Sequence, residues 1–291
     1  MQKNSKDKII DLCLFLLISI CILIGIAVYN NTDRNLHFFA CDVGQGDSIY
    51  VRDSNNYDIV IDGGPGNQIL TCLGEHMPFF DRSIELVVLT HPHADHLVGL
   101  IEVIKRYDIK KILMTDAVNN TSEYKELSNL ITEKNIPVEF AKQDQKISLG
   151  NKLYFNIYWP SQSYKDKEIS NFNNTSIVGK LIYENVTFLL TGDAEKEVLN
   201  KIVTQYGNQL KSDVYKVAHH GSKNATNVNL IKIVNPEIAI VSAGLDNPFG
   251  HPSDIALKAL TDSNVKIFRT DQNGTVEIIS DGINFWTKIE K

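Results

Sequence analysis

The residues Thr90-His91-Pro92-His93-Ala94-Asp95-His96 decide the fold of this chain. They follow the apolar run ELVVLT, which predicts a buried strand, and they open DHLVGLIEVIKRY, whose spacing predicts an amphipathic helix. His91 and His93 are two residues apart, so an extended backbone directs both side chains to one side. Asp95 and His96 lie where the chain turns into the helix and point in other directions. This short loop can therefore supply two adjacent metal positions.

Imidazole and carboxylate side chains are suitable ligands for Zn, Mn or Fe. Three of the eight histidines of the chain fall within residues 91–96. The alternative is a polar loop with incidental histidines, and this clustering argues against it. We therefore predict that His91, His93, Asp95 and His96 are metal ligands.

The motif THPHADH resembles the signature HxHxDH of the metallo-β-lactamase superfamily. Further motifs resemble the C-terminal domain of ComEC-type competence proteins and its stand-alone relatives, and together they cover about residues 36–291. In chain order they are CDVGQGDS (Cys41–Ser48), IDGG (Ile61–Gly64), NNTSIV (Asn173–Val178), LLTGD (Leu189–Asp193), AHHGS (Ala218–Ser222) and GHPS (Gly250–Ser253).

Short strand-like runs recur along the chain, and helix-like runs follow strands in both halves. This pattern indicates two sheets packed together with helices outside. The resemblance implies the same α/β architecture, a four-layer αββα metallo-β-lactamase-like sandwich in residues 36–291.

The resemblance also implies roles for residues far from the motif. Asp193 is expected to bridge two metals; the alternative is that it caps a helix beginning at Ala194. His251 is expected to be the last metal ligand, and His219 and His220 to be catalytic groups on the substrate side. The exchange of His220 and His251 between these roles stays open.

Many members of the superfamily have a further histidine where this chain has Asn171–Thr175. Because amides bind zinc weakly, the position built on His91 and His93 is expected to be poorly filled or to prefer Mn.

Asp42, Asp62 and Asn174 are predicted to orient the metal-binding groups through hydrogen bonds. The alternative for the two aspartates is turn formation in Gly-rich loops.

Residues 12–29 form a nearly continuous apolar run, close to the ~20 residues that span a bilayer. We predict a cytoplasmic segment 1–8, a transmembrane helix 9–29 and a linker 30–35; the alternative is a cleaved signal peptide. Lys3, Lys6 and Lys8 precede the run, which predicts a single-pass protein of the cell membrane with its catalytic domain outside and membrane lipid as a partner. Because the sequence has one apolar span, the multi-pass channel of ComEC is missing. This chain is therefore not expected to translocate DNA by itself.

The net charge of -6 gives no basic footprint for nucleic-acid binding. The four cysteines, Cys13, Cys21, Cys41 and Cys72, are few and scattered, which predicts buried free thiols.

These features predict a metal-dependent hydrolase with two divalent ions, Zn or Mn, that activate a water molecule. Asp95 is expected to orient or deprotonate that water, and His219 or His220 to protonate the leaving oxygen. The ComEC-like resemblance favours a phosphodiester substrate, either a small molecule or a nucleic acid. The alternatives are a lactam, a lactone or a thioester, or a non-catalytic metal-bound surface protein. No protein partner is indicated.

Overall fold

The computed structural model describes residues 11, 13–23, 33–150 and 152–291. The chain divides into two units, Met1–Arg34 and Asn35–Lys291. In the first unit, residues 13–23 are helical and most of their apolar side chains are exposed. No helix in the described part of the chain is both long and apolar enough to span a bilayer. Much of the predicted span, together with residues 1–8 and 30–32, lies outside the described residues.

The second unit contains seventeen strands among the described residues. They are β1 (Leu36–Ala40), β2 (Ser48–Arg52), β3 (Asp58–Gly63), β4 (Ser83–Ile84), β5 (Leu86–Leu89), β6 (Asp108–Ile109), β7 (Ile112–Met114), β8 (Val138–Phe140), β9 (Lys146–Ser148), β10 (Leu153–Trp159), β11 (Val178–Tyr183), β12 (Val186–Leu190), β13 (Val214–Lys216), β14 (Ile238–Val241), β15 (Lys266–Arg269), β16 (Val276–Ser280) and β17 (Phe285–Ile289).

The helices of the same unit alternate with these strands. They are α1 (Gln68–His76), α2 (Ala94–Arg106), α3 (Ser122–Glu133), α4 (Lys196–Tyr206), α5 (Val228–Val234), α6 (Asp254–Thr261) and the single turn α7 (Thr270–Asn273). Short 3-10 segments at Phe172–Thr175, Gly207–Leu210 and Ala218–Gly221 complete the regular structure.

Two large sheets form the centre of the domain. The first has the strand order β17-β16-β1-β2-β3-β5-β7-β8, and the second has the order β15-β14-β13-β12-β11-β10-β9. In each sheet one part is antiparallel, while β3-β5-β7-β8 and β12-β13-β14-β15 are parallel. A further pair, β4 and β6, lies apart from both sheets.

The inner faces of the two sheets share one apolar core. Phe38 of β1 and Phe188 of β12 are both fully buried, and their rings stack with centroids 4.7 Å apart. Each such side chain contributes roughly 1.5–3 kcal/mol by leaving water. Because side chains alternate between the faces of a strand, the opposite faces need a second cover.

Helices cover both outer faces. One apolar cluster joins the first sheet to α1, α2 and α3, and another joins the second sheet to α4, α5 and α6. The domain is therefore a four-layer αββα sandwich with a metallo-β-lactamase-like fold, as the sequence predicted.

Two features of this domain differ from expectation. Helix α1 was missed because it is short and Gly74 interrupts its apolar pattern. The prediction of four buried free thiols is wrong: Cys41 and Cys72 form a disulfide, and Cys13 and Cys21 are exposed. Cys41 follows β1 and Cys72 belongs to the helix packed on the same sheet, so the fold brings together thiols 31 residues apart.

Parallel strands end at the same edge of a sheet, and loops that follow them converge there. Strands β5, β12, β13 and β14 therefore deliver the segments that begin at Thr90, Thr191, Val217 and Ser242 to one region between the two sheets.

Candidate metal centre

A cavity of about 470 Å³ opens where these loops meet. It is lined by Gln45, Pro65, His93, Ala94, Asp95, Asn173, Asp193, His219, His220, Phe249 and His251.

Asp95, His96, Asp193 and His220 place one potential ligand atom each within 4.8 Å of one another. The Nε2 atoms of His96 and His220 lie 3.4 and 3.5 Å from Oδ2 of Asp193. His220 Nε2 also lies 3.4 Å from Oδ2 of Asp95. Two imidazole nitrogens and two carboxylates therefore converge on one point, a donor set suited to a divalent transition metal.

Hydrogen bonds fix His96 in the orientation that a metal ligand requires. Its Nδ1 lies 2.8 Å from Oδ2 of Asp62. The carboxylate of Asp62 is itself held by Thr90, whose backbone N–H donates to Oδ1 and whose hydroxyl donates to Oδ2. Because Nδ1–H donates to this carboxylate, the lone pair of Nε2 remains directed into the site.

His220 is held in the same way. Its Nδ1 lies 3.1 Å from the carbonyl oxygen of Ser242 and 3.2 Å from Oδ1 of Asp47. Its Nε2 is again the free nitrogen that faces the site.

Within the described residues, His96 Nε2, His220 Nε2 and Asp193 Oδ1 are buried without a hydrogen-bond partner. A buried polar atom left unpaired costs roughly 1–3 kcal/mol. A cation bound between these atoms would satisfy all three, so the residues present fit a divalent metal.

Charge in the centre is strongly unbalanced. Burial would lower the pKa of His96, but the carboxylates of Asp193 and Asp62 raise it well above its usual value. Burial opposes protonation of His220 as well, and Asp193 and Asp47 raise its pKa. The excess of carboxylates thus draws protons onto the histidines, and a bound divalent cation would take their place.

His91 and His93 lie beside this group. His91 is fully buried, and its Nε2 is 3.0 Å from Nδ1 of His93. Burial lowers the pKa of His91 well below its usual value, so its imidazole is neutral and one ring nitrogen offers a lone pair to a metal. Asn173 lines the same cavity; its amide nitrogen donates to Glu195 and its buried amide oxygen is unpaired.

The remaining two histidines line the cavity without joining the group of four. His219 Nε2 lies 3.6 Å from Asp193 and its Nδ1 3.6 Å from Glu195. The ring of His251 is 6.3 Å from that of His220 and stacks beside Phe249. The geometry thus favours His220 as the last metal ligand and leaves His251 on the substrate side. The sequence analysis expected the opposite assignment and kept this exchange open.

The other sequence-predicted residues have different surroundings. Helix α4 begins at Lys196, so Asp193 does not cap it. Asp42 accepts a hydrogen bond from the backbone nitrogen of Gly44 and pairs with Lys291. It therefore stabilises a turn, which was the alternative to orienting a metal ligand. Asn174 accepts from the backbone nitrogen of Glu195 and contacts none of the four converging ligands.

Asp47 lies in the Gly-rich segment CDVGQGDS, whose aspartates the sequence offered either as turn residues or as groups that orient metal ligands, and it contacts His220. Sequence reasoning missed Lys216, the partner of Asp47, whose signal was a lysine inside the apolar run VYKVA.

Comparison with known proteins supports the fold. The family model described as Metallo-beta-lactamase superfamily matches residues 41–123. ComE operon protein 3 of Bacillus subtilis strain 168 is 28% identical over 253 residues, covering 81% of this chain and 32% of that protein. Competence protein ComA of Neisseria gonorrhoeae is 24% identical over 242 residues, covering 81% and 31%. The chain therefore spans about a third of the length of these relatives.

Among solved structures, the metallo-beta-lactamase fold protein YhfI from Bacillus subtilis superposes with a TM-score of 0.56 at 11% identity. The match covers 82% of this chain and 98% of YhfI. Identity this low establishes a shared fold and no more.

Proposed function

Since this chain is a metallo-β-lactamase superfamily protein similar to part of the ComEC-type competence proteins, we propose that it is a metal-dependent phosphodiesterase. The observation that carries the proposal is the convergence of Asp95, His96, Asp193 and His220 with unpaired nitrogen and oxygen atoms turned inward.

The proposed cofactor is a pair of divalent ions, Zn or Mn. One ion would be held by the converging group of four, and the other by His91 and His93 with Asp193 shared between them. When bound, such ions lower the pKa of a coordinated water toward 7 and neutralise charge on the substrate. Asp95 would also orient the attacking water.

Charge supports an anionic substrate. Among the described residues, the carboxylates of Asp47, Asp62, Asp95 and Asp193 face one buried ammonium group, that of Lys216. Two divalent cations would offset this negative charge, and their faces turned to the cavity would bind the negative oxygens of a phosphodiester.

His219 and His251 line the cavity beside the proposed ions. Either side chain is placed to hold a phosphate oxygen or to deliver a proton to the leaving oxygen. The names of the competence relatives support a nucleic acid or a nucleotide as the source of the phosphodiester.

The test is hydrolysis of bis(p-nitrophenyl) phosphate, a chromogenic lactam and a thioester by protein loaded with Mn or Zn. We expect turnover of the phosphodiester, loss with chelator, and loss in Asp193→Asn. Turnover of the lactam or the thioester alone would show that the protein hydrolyses that substrate class and is not a phosphodiesterase. Metal-loaded protein that hydrolyses none of the three would instead indicate a binding protein.

We also propose that residues 9–29 anchor the domain outside the cell membrane. The disulfide Cys41–Cys72 supports a location of the domain outside the cell, because disulfides persist in oxidising compartments. Protease added to intact cells should degrade the domain. Degradation only after lysis would reverse the topology.

A further inference from the structure

Lys216 is the last residue of β13 and only 1% of its surface is exposed. Lysine is almost never buried to this extent without a partner. Its ammonium nitrogen lies 2.7 Å from Oδ1 and 2.8 Å from Oδ2 of Asp47, and it also donates to the carbonyl oxygen of Val217. The side chain of Asp47 is therefore held by two contacts from one cation.

Asp47 in turn contacts a proposed ligand. It is 3% exposed, and its Oδ1 lies 3.2 Å from Nδ1 of His220. The opposite nitrogen of that ring faces Asp95 and Asp193. A continuous chain of contacts thus runs from Lys216 through Asp47 to the point where the ligands converge.

We propose that Lys216 is a positioning residue of the metal centre, which fixes the carboxylate of Asp47 against Nδ1 of His220 and so helps to direct His220 Nε2 at the metal. This inference rests on the metal centre of the proposed function. Lys216 is not one of the converging ligands and does not line the cavity, so it acts only through Asp47.

Without the ammonium group, Asp47 would lose the contact that orients its carboxylate. His220 Nδ1 would then lose its ionic contact with Asp47 and keep only its hydrogen bond to the carbonyl oxygen of Ser242, which leaves the ring less firmly oriented. Loss of a group that orients a metal-binding histidine typically lowers metal affinity 10–100-fold. Because the substrate is not contacted, KM for the phosphodiester should be nearly unchanged.

The alternative is a purely structural ion pair, which would affect folding and leave the metal alone. Lys216→Met keeps the length of the side chain and removes the charge. The control is Lys180→Met, because Lys180 is a half-buried lysine on the same sheet whose ammonium donates to backbone carbonyls away from the centre.

The experiment titrates Mn²⁺ alone into full-length protein by calorimetry, and records Tm together with kcat and KM. We expect Lys216→Met to bind Mn²⁺ 10–100-fold more weakly. Lys180→Met should bind it as the wild type does. Unchanged Mn²⁺ affinity in Lys216→Met, with only Tm lowered, would overturn the proposal.

Lys216→Met leaves Asp47 as an unpaired buried charge and can fail to fold. The double variant Asp47→Asn/Lys216→Met removes both charges and keeps the proposal testable. It should show the same loss of Mn²⁺ affinity, and wild-type affinity there would equally overturn the proposal. Wild-type protein that binds Mn²⁺ but hydrolyses nothing refutes the phosphodiesterase alone. Wild-type protein that binds no metal refutes both.

Discussion

His219 and His220 both adopt left-handed backbone conformations, with φ of 49° and 53°. For residues other than glycine this costs roughly 1–2 kcal/mol each. The turn is held by hydrogen bonds from His219 N to Gly192 O and from Ser222 N to His219 O. The strained turn separates the two imidazoles, so His220 faces the converging ligands while His219 faces Glu195.

Variants of His220 and His251 should separate ligand from substrate-side group. His220→Gly suits the positive φ and removes the imidazole, and it should lose bound metal because a ligand position is vacated. His251→Ala should keep its metal and lose roughly 100–10,000-fold in rate if its ring acts on the proton of the leaving group. Metal analysis and kcat of both variants decide this, and metal loss in His251→Ala alone would invert the assignment.

Asp62→Asn should weaken metal binding by roughly 10–100-fold, because the carboxylate that orients His96 is lost. Asp42→Asn is the control, since Asp42 lies in a turn and pairs with Lys291. Calorimetric titration with Mn²⁺ measures both variants. Equal affinities in the two would show that Asp62 does not support the centre.

Residues 91–96 could be assigned as candidate ligands from the sequence because they are contiguous, so their spacing alone reveals the chemistry. The pairing of Asp47 with Lys216 could not be predicted, because the two residues are 169 residues apart and meet only in the folded chain. Whether His220 or His251 is the last metal ligand depended on the path of the two loops that carry them, and the order of the motifs along the chain does not determine that path.

At the scale of elements, helix α2 carries Asp95 and His96 and packs unusually closely on β3. A methyl group at Gly99 would lie 1.9 Å from the carbonyl oxygen of Gly63, so only glycine permits this approach. The close packing places the first turn of α2 beside Asp62 at the end of the strand.

Gly99→Ala should therefore destabilise the domain by roughly 1–3 kcal/mol through overpacking and weaken metal binding as the first turn moves. Gly74→Ala is a matched control in α1, because a methyl group there meets nothing within 4 Å. It should stabilise the domain by up to about 1 kcal/mol through helix propensity. Urea unfolding of both variants measures the difference, and equal stabilities would contradict the close contact.

The strands and long helices could be predicted because their apolar spacing is regular, as in α2 and β12. Some short or interrupted elements could not. Strand β9 has three residues with only one apolar side chain, and α1 has a glycine at the seventh of its nine positions.

At the scale of the whole molecule, the disulfide joins the end of β1 to α1 and closes a loop of 31 residues. A loop of this size is worth about 3–4 kcal/mol through the entropy of the unfolded chain. We expect Cys41→Ala/Cys72→Ala to lower the free energy of unfolding by up to that amount. Cys13→Ser/Cys21→Ser, which alters the exposed thiols, should leave it unchanged. Urea unfolding compares the two, and equal curves would refute the stabilising role.

The pairing of β1 with β16 joins Leu36 to Ser280. During synthesis at roughly 5–20 residues per second, about 240 residues separate these strands, so β1 waits on the order of 10–50 s for its neighbour. Until then one side of β1 presents unpaired backbone groups to other chains. Nascent chains arrested before residue 276 should stay sensitive to protease, and chains released after it should become resistant. The first sheet is thus completed only after β16 and β17 have been synthesised, whatever order its other strands assemble in.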